Sequence, residues 1–142
     1  NRAGEITFKQ LSTFNFEISV HTYTKASSLQ ADRDSLQVFF GDGDSEWIQR
    51  VNGSNNQGVI VGNDIKMNVY TTTHFYMSSG NYTISMTDPN RNSGILNVHP
   101  PYSDQVPFHL ETEFTVFNPT TMSMNQSPIL MKKIMVFVTL AV

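Results

Sequence analysis

Cysteine is absent from this chain of 142 residues. Its absence excludes disulfide bonds and thiolate metal ligands, and with them cysteine-dependent zinc and nucleophile chemistry. Charged residues make up only 15% of the chain, so Ser, Thr, Asn and Gln must supply much of its polar surface. Because the net charge is −3 and no basic patch is interleaved with aromatic residues, nucleic acid is not an expected partner.

Long apolar runs and helical periodicity are also missing. The longest largely apolar run, 134–142, is far shorter than the roughly 20 residues that a membrane-spanning helix needs, so no membrane span is expected. A charged segment followed by an apolar one does not open the chain, so we expect a soluble chain whose signal peptide, if it is exported, has been removed.

Alternation of apolar and polar residues with a period of two predicts β-strands along most of the chain. The clearest case is 14–23, which places Phe14, Phe16, Ile18, Val20 and Thr22 on one face. In 64–73 the same reasoning groups Ile65, Met67, Val69 and Thr71, leaving Tyr70 on the outside. The other predicted strands are 5–9, 35–40, 46–51, 59–61, 81–88, 95–98 and 108–116. Turn-rich segments between them predict an all-β antiparallel sandwich or barrel.

Two segments carry specific turn signals. An apolar strand runs into Gly41-Asp42-Gly43, and a later segment follows the pattern His-x-Tyr-x-x-x-Gly-x-Tyr. Together they resemble the signature of PKD-type immunoglobulin-like modules. The resemblance implies an immunoglobulin-like antiparallel β-sandwich, and we place this domain over 1–118, with an extension over 119–142. It assigns a turn-shaping role to Gly41, Asp42, Gly43, His74, Tyr76, Gly80 and Tyr82.

Further segments resemble the gliding-motility-associated large surface proteins of bacteria, adhesins that are exported by the type IX secretion system. The resemblance rests on 2–8, which reads Arg-Ala-Gly-Glu-Ile-Thr-Phe, on 87–92, which reads Thr-Asp-Pro-Asn-Arg-Asn, and on 62–66, 82–85, 94–98 and 126–130. It implies an extracellular, cell-surface location and a non-enzymatic structural or adhesive role.

Acidic residues alternate after the first turn, at Asp42, Asp44 and Glu46. Two interpretations stand side by side: Asp42 hydrogen-bonds the turn backbone and no cofactor binds, or the three carboxylates bind calcium. An EF-hand loop is excluded, because a template starting at Asp42 places Trp47 at the glycine position and Gly53 at the bidentate glutamate position.

Motifs of common hydrolases and nucleotide-binding proteins are absent from the sequence, so an enzyme is not expected, although a triad of distant residues remains open. Outward aromatic residues favour a carbohydrate-binding module as the alternative, with surface glycans as partners; they are Tyr23, Phe39, Tyr70 and Phe117, with Trp47 nearby. An accessory domain of a secreted hydrolase is a third reading. Ser35, in Asp34-Ser35-Leu36, resembles a short bacterial O-glycosylation pattern.

The segment 133–142 is predicted to be a strand with two apolar faces. Ile134, Val136, Val138 and Leu140 lie on one face and Phe137 on the other. Such a strand needs cover on both sides. It therefore completes the sandwich, opens a further domain, or pairs with a neighbouring subunit, and in the last case the module assembles with other domains or with copies of itself into filaments.

Overall fold

The computed structural model describes residues 1–89, 91 and 102–118. Eight strands account for most of these residues, together with three short 3-10 turns. The strands are β1 (Ala3–Ser12), β2 (Asn15–Lys25), β3 (Ser35–Phe39), β4 (Ser45–Gln49), β5 (Val59–Gly62), β6 (Ile65–Phe75), β7 (Gly80–Asp88) and β8 (Phe108–Val116). The strand predicted over 95–98 lies outside the described residues.

The strands form two four-stranded sheets in which every neighbouring pair is antiparallel. The first sheet has the order β1-β2-β6-β5, and the second has the order β4-β3-β7-β8. Among the described residues, buried side chains from both sheets form one apolar cluster. The predicted all-β class and the β-sandwich are therefore confirmed. After β4 the chain crosses towards the first sheet, where Arg50 makes a bridge with Tyr70 of β6.

Strand β2 shows why the alternation predicts the core. Phe16, Ile18 and Val20 are buried on the predicted face, and the residues between them are half-buried. Burial of such side chains contributes roughly 1.5 to 3 kcal/mol each. Strand β8 follows the same rule, because its predicted inner residues Phe108 and Leu110 are buried too. Both predictions are confirmed.

Strand β6 is oriented opposite to the prediction. Tyr70 is 1% exposed and Asn68 is fully buried, whereas Met67 and Val69 lie on the outer face of the first sheet. Both inner residues have their polar atoms satisfied: the Tyr70 hydroxyl donates to the carbonyl of Arg33 at 2.6 Å, and the Asn68 amide donates to threonines of β2. The prediction that Tyr70 faces outward is therefore wrong, because a polar group does not prevent burial once it has a partner.

The segment 119–142 lies outside the described residues. The predicted strand over 133–142, with Ile134, Val136, Phe137, Val138 and Leu140, therefore remains a prediction of the sequence. Within the described part of the chain, no helix has the length and apolar character needed to cross a bilayer.

Gly41 is a position where the fold requires glycine. Its φ is +88°, and a Cβ built there would lie 2.5 Å from the carbonyl oxygen and 2.7 Å from the nitrogen of Thr83. Gly43 also has a positive φ, +103°, but a Cβ there would meet nothing within 4 Å. We expect Gly43→Ala to cost about 1 kcal/mol, the conformational penalty alone, and Gly41→Ala about 2 kcal/mol, because backbone atoms cannot move aside cheaply. Urea denaturation of both variants measures the difference, and equal losses would show that the contact with Thr83 is unimportant.

Candidate functional site

The turn between β3 and β4 is built from its own backbone and one carboxylate. The backbone N–H of Phe40 donates to the carbonyl of Asp44 at 3.0 Å, and this bond closes the turn. One oxygen of Asp42 accepts the backbone N–H of Asp44 at 3.1 Å. This is the local hydrogen bond that makes aspartate a favoured turn residue.

His74 joins this turn to the opposite sheet. It lies near the end of β6, and its Nε2 is 2.7 Å from the second carboxylate oxygen of Asp42. The imidazole also stacks on the ring of Phe40, with a centroid separation of 3.9 Å and an interplanar angle of 11°. His74 and Asp42 are separated by 32 residues in sequence, so this contact fastens the two sheets together at one end of the sandwich.

The remaining turn-shaping residues lie at the same end. Tyr76 is fully buried, and its hydroxyl donates to the carbonyl of Phe40 at 3.0 Å. Gly80 begins β7, and the Tyr82 hydroxyl donates to the carbonyl of Ser78 at 2.9 Å. The rings of Tyr76 and Tyr82 are in contact, with centroids 4.3 Å apart. The two turn signals of the sequence thus form one polar and aromatic cluster. We call these residues, with Asp42, His74 and Phe40, the turn cluster.

The three carboxylates proposed as calcium ligands do not all come together. Asp42, Asp44 and His74 each offer a ligand atom within 4.8 Å of the others. The Glu46 carboxylate instead accepts the hydroxyl of Thr72 at 3.0 Å. The predicted set of calcium ligands is therefore corrected, because Glu46 is not part of this group. Asp42 and Asp44 alone supply fewer oxygen ligands than the six to eight that calcium prefers. Calcium binding remains a prediction: a melting temperature that rises with added calcium and falls with chelator would support it, and an identical melting temperature under both conditions would contradict it.

The carboxyl group of Asp42 has a lowered pKa. Burial raises the pKa, but the hydrogen bonds from His74 and from the backbone of Asp44 outweigh burial and hold it below the usual value of about 4. A carboxylate with a lowered pKa in the folded state stabilises the fold above its unfolded pKa, and this contribution disappears as the pH falls through the folded pKa.

We therefore expect the free energy of unfolding to fall less steeply in Asp42→Asn than in the unchanged protein when the pH is lowered from about 4. Asp32, whose pKa is also lowered, keeps part of the acid dependence in the variant. Urea denaturation at a series of pH values measures the slope. Equal slopes for the two proteins would mean that Asp42 titrates alike in the folded and unfolded states.

A second polar cluster, missed by the sequence reasoning, surrounds Arg50. Its side chain is 1% exposed and its guanidinium forms ion pairs with Asp32 and, at 2.9 Å, with Asp34. It also donates to the Asn68 side chain at 2.9 Å and to the carbonyl of Asn56 at 2.5 Å. We call these residues the arginine cluster. The sequence pattern that predicts the burial of Arg50 is the period-two alternation of the strand. Arg50 follows the buried Ile48 by two positions and therefore falls on the inner face.

Lys66 also belongs to the arginine cluster, because it forms an ion pair with Asp32. Its ammonium group lies 2.6 Å from the second oxygen of Asp32. Burial raises the pKa of Asp32, but the hydrogen bonds from Lys66 and Arg50 outweigh burial and lower it. The cluster connects the loop before β3, the crossing after β4, and β6, which makes it a structural tie between the sheets.

The outward aromatic residues separate into two groups. Tyr23 is half-buried and Tyr70 is buried, whereas Trp47, Phe39 and Phe117 are 63%, 46% and 36% exposed. Trp47 and Phe39 lie on the adjacent strands β4 and β3. Ser35, the O-glycosylation candidate, begins β3 opposite Gln49 and is half-buried.

The part of the chain that the structure describes is an antiparallel β-sandwich of two four-stranded sheets with the turn cluster at one end. Comparison with protein-family models, with curated proteins and with solved structures finds no match to this chain.

Proposed function

We propose that the chain is a non-enzymatic, extracellular module of a bacterial surface protein, with an immunoglobulin-like fold of the PKD type and a structural and adhesive role. The segments that resemble type IX-exported gliding adhesins motivate the location and the role. Support for the PKD-type assignment comes from the meeting of the two sequence signals around one turn, where Asp42 of the first lies with His74 and Tyr76 of the second.

The observation that carries the structural role is the composition of the sheet edges. An open edge strand can pair with another chain, and proteins usually protect edges with charged residues. Strand β1 carries Glu5 and Lys9, β4 carries Glu46, and β8 carries Glu111 and Glu113. Strand β5 has the sequence Val-Ile-Val-Gly and carries no charge.

Strand β5 is also exposed along its whole length. Val59, Ile60 and Val61 are 40%, 62% and 52% exposed, and among the described residues the strand pairs with β6 on one side and with no strand on the other. Such an edge favours the addition of a strand from a partner, in which backbone hydrogen bonds supply affinity and side chains supply specificity. The partner is a neighbouring domain or a second copy of the chain. Pairing of β5 with β5 of a second copy closes a dimer, whereas pairing of β5 with a different edge strand of the next copy produces a filament.

Size-exclusion chromatography with light scattering, together with electron microscopy, tests this role. We expect the unchanged chain to form larger species and fibres at high concentration, and Ile60→Lys to shift it towards the monomer because a lysine protects the edge. Gln49→Lys, an exposed substitution on the edge strand β4, is the matched control and should leave assembly unchanged.

A chain lacking residues 131–142 tests the other predicted pairing strand. Assembly that depends on these residues and tolerates Ile60→Lys would move the pairing from β5 to the segment 133–142. A monomer at every concentration for the unchanged chain would contradict the assembly proposal.

A further inference from the structure

The outer face of the second sheet carries two exposed aromatic residues, Trp47 and Phe39, on adjacent strands. In the register of β3 and β4, Gln37 lies opposite Trp47 and Phe39 lies opposite Ser45. Trp47 and Phe39 are therefore diagonal neighbours on one face, with Cα atoms roughly 7 to 8 Å apart. The two residues belong to neither the buried core nor its partly buried rim. We call them the aromatic platform.

Uncharged polar groups surround the aromatic platform. Gln37 lies between the two rings in the register, and its amide nitrogen donates to the Ser45 hydroxyl at 3.4 Å. On the far side of Phe39, Ser85 of β7 is its directly paired residue. The first acid in that row is Glu111 of β8, one strand further away, or roughly 10 Å from Phe39 at the usual spacing of strands.

This combination identifies the chemistry of a ligand. Exposed aromatic side chains on the outer face of a sheet keep a large apolar surface in water, which marks a binding surface when polar groups border it. A sugar ring has an apolar C–H face and a rim of hydroxyl groups. The C–H faces fit the indole and phenyl rings, and the hydroxyl groups fit the amide of Gln37 and the hydroxyls of Ser45 and Ser85.

The negative charge on the same face further restricts the class of ligand. Glu111 and Glu113 lie on the outer face of β8, and the chain has a net charge of −3. Both features disfavour an anionic polymer. A protein partner would need a larger apolar area than two rings bordered by polar groups, because stable interfaces bury about 800 Å² on each side.

We propose that Trp47 and Phe39 bind a neutral polysaccharide by stacking against its sugar rings, with Gln37 and Ser45 as hydrogen-bonding groups. This inference rests on the proposed adhesive function and names the ligand class of that function. Two stacking positions on one face suit a polymer, since successive sugars of one chain contact both rings.

Tryptophan fluorescence gives a direct test, because Trp47 is the one tryptophan in the sequence. Laminarin, hydroxyethylcellulose, xylan, galactomannan and dextran serve as neutral probes, and alginate serves as the anionic probe. We expect a saturable change in fluorescence with at least one neutral polymer and none with alginate. No change with any neutral polymer, or a change with alginate alone, would overturn the proposal.

Affinity electrophoresis in gels that contain the same polymers tests the residues. Trp47→Ala should weaken retention at least tenfold and Phe39→Ala about threefold to tenfold. Tyr102→Ala is the matched control, because Tyr102 is an aromatic residue that is 55% exposed but lies before the 3-10 turn Ser103–Gln105, outside β3, β4 and β5. Full retention of Trp47→Ala would overturn the proposal, and Phe39→Ala carries the test if Trp47→Ala does not fold.

The outcomes of this test and of the assembly test are separable. Ile60→Lys acts on the β5 edge and should leave polysaccharide retention unchanged. Loss of retention in Trp47→Ala with intact assembly places binding on the aromatic platform. Retention without assembly would retain the polysaccharide site and reject the filament, whereas assembly without retention would reject the polysaccharide site alone.

Discussion

Replacing Arg50 by methionine is expected to lower the free energy of unfolding by about 3 kcal/mol. Removing one member of a buried ion pair usually costs 3 to 5 kcal/mol, because the remaining groups lose their partner and cannot regain water. In this chain the groups that lose a donor are the oxygen of the buried Asn68 side chain and the carbonyl of Asn56, which belongs to an exposed residue. Because Asn68 is fully buried, its oxygen cannot regain a partner from water, and its loss of a donor makes the larger contribution to the destabilisation.

The loss should lie at the lower end of that range because the acidic partners retain other interactions. The Asp34 side chain is 90% exposed and stays hydrated after the substitution. Asp32 keeps the ammonium group of Lys66 at 2.6 Å. Methionine also fills much of the volume that the arginine side chain occupied, so the packing contribution to the loss is small.

Two further variants make the Arg50 prediction specific. Asp34→Asn removes a charge from the same cluster at an exposed position, and we expect a loss below about 1 kcal/mol. Arg50→Lys keeps a positive charge but has no planar fork to serve several acceptors, so its loss should be intermediate, about 2 kcal/mol. Urea denaturation measures all three variants, and a loss in Arg50→Met as small as that in Asp34→Asn would contradict the prediction.

The comparison of strands shows which parts of the fold the sequence predicts. In β2 the inner residues Phe16, Ile18 and Val20 alternate with polar ones, so only one orientation buries the apolar set. In β6 the more apolar face, with Met67 and Val69, is the outer one, and the inner face carries Asn68 and Tyr70. Alternation alone therefore selects the wrong face. The choice depends on the polar atoms of Asn68 and Tyr70, whose partners lie far away in sequence.

The candidate site also has a part that the sequence predicts and a part that depends on how the sheets pack. The turn at Gly41, Asp42 and Gly43 is predictable because its hydrogen bonds are local. The contact between Asp42 and His74 depends on how the two sheets pack, and a one-residue change in register would turn His74 to the other face. For the same reason Glu46, close to Asp42 in sequence, pairs with Thr72 rather than joining Asp42 and Asp44. The arginine cluster likewise needs three segments that only the folded chain brings together.

Replacing Tyr76 by alanine is expected to cost about 4 kcal/mol. Its ring is fully buried and contacts Phe16, Phe114 and Tyr82, with centroids 5.8, 5.3 and 4.3 Å away. Truncation of a buried aromatic residue to alanine costs roughly 3 to 5 kcal/mol, through lost burial and the cavity that remains. In this position the cavity would open beneath the turn cluster, because Tyr76 also touches the ring of His74.

Tyr76→Phe separates the hydroxyl from the ring. The hydroxyl donates to the carbonyl of Phe40 at 3.0 Å, and burial together with the nearby Asp42 raises its pKa, so it stays protonated and keeps donating up to high pH. Removing it leaves that carbonyl without this donor, and we expect a loss of about 1 kcal/mol. Urea denaturation gives both losses, and the Asp42 carboxyl resonance in NMR reports whether the turn moves. A Tyr76→Phe loss close to that of Tyr76→Ala would assign the stabilisation to the hydrogen bond, whereas an unchanged stability in Tyr76→Ala would show that the turn cluster does not depend on this ring.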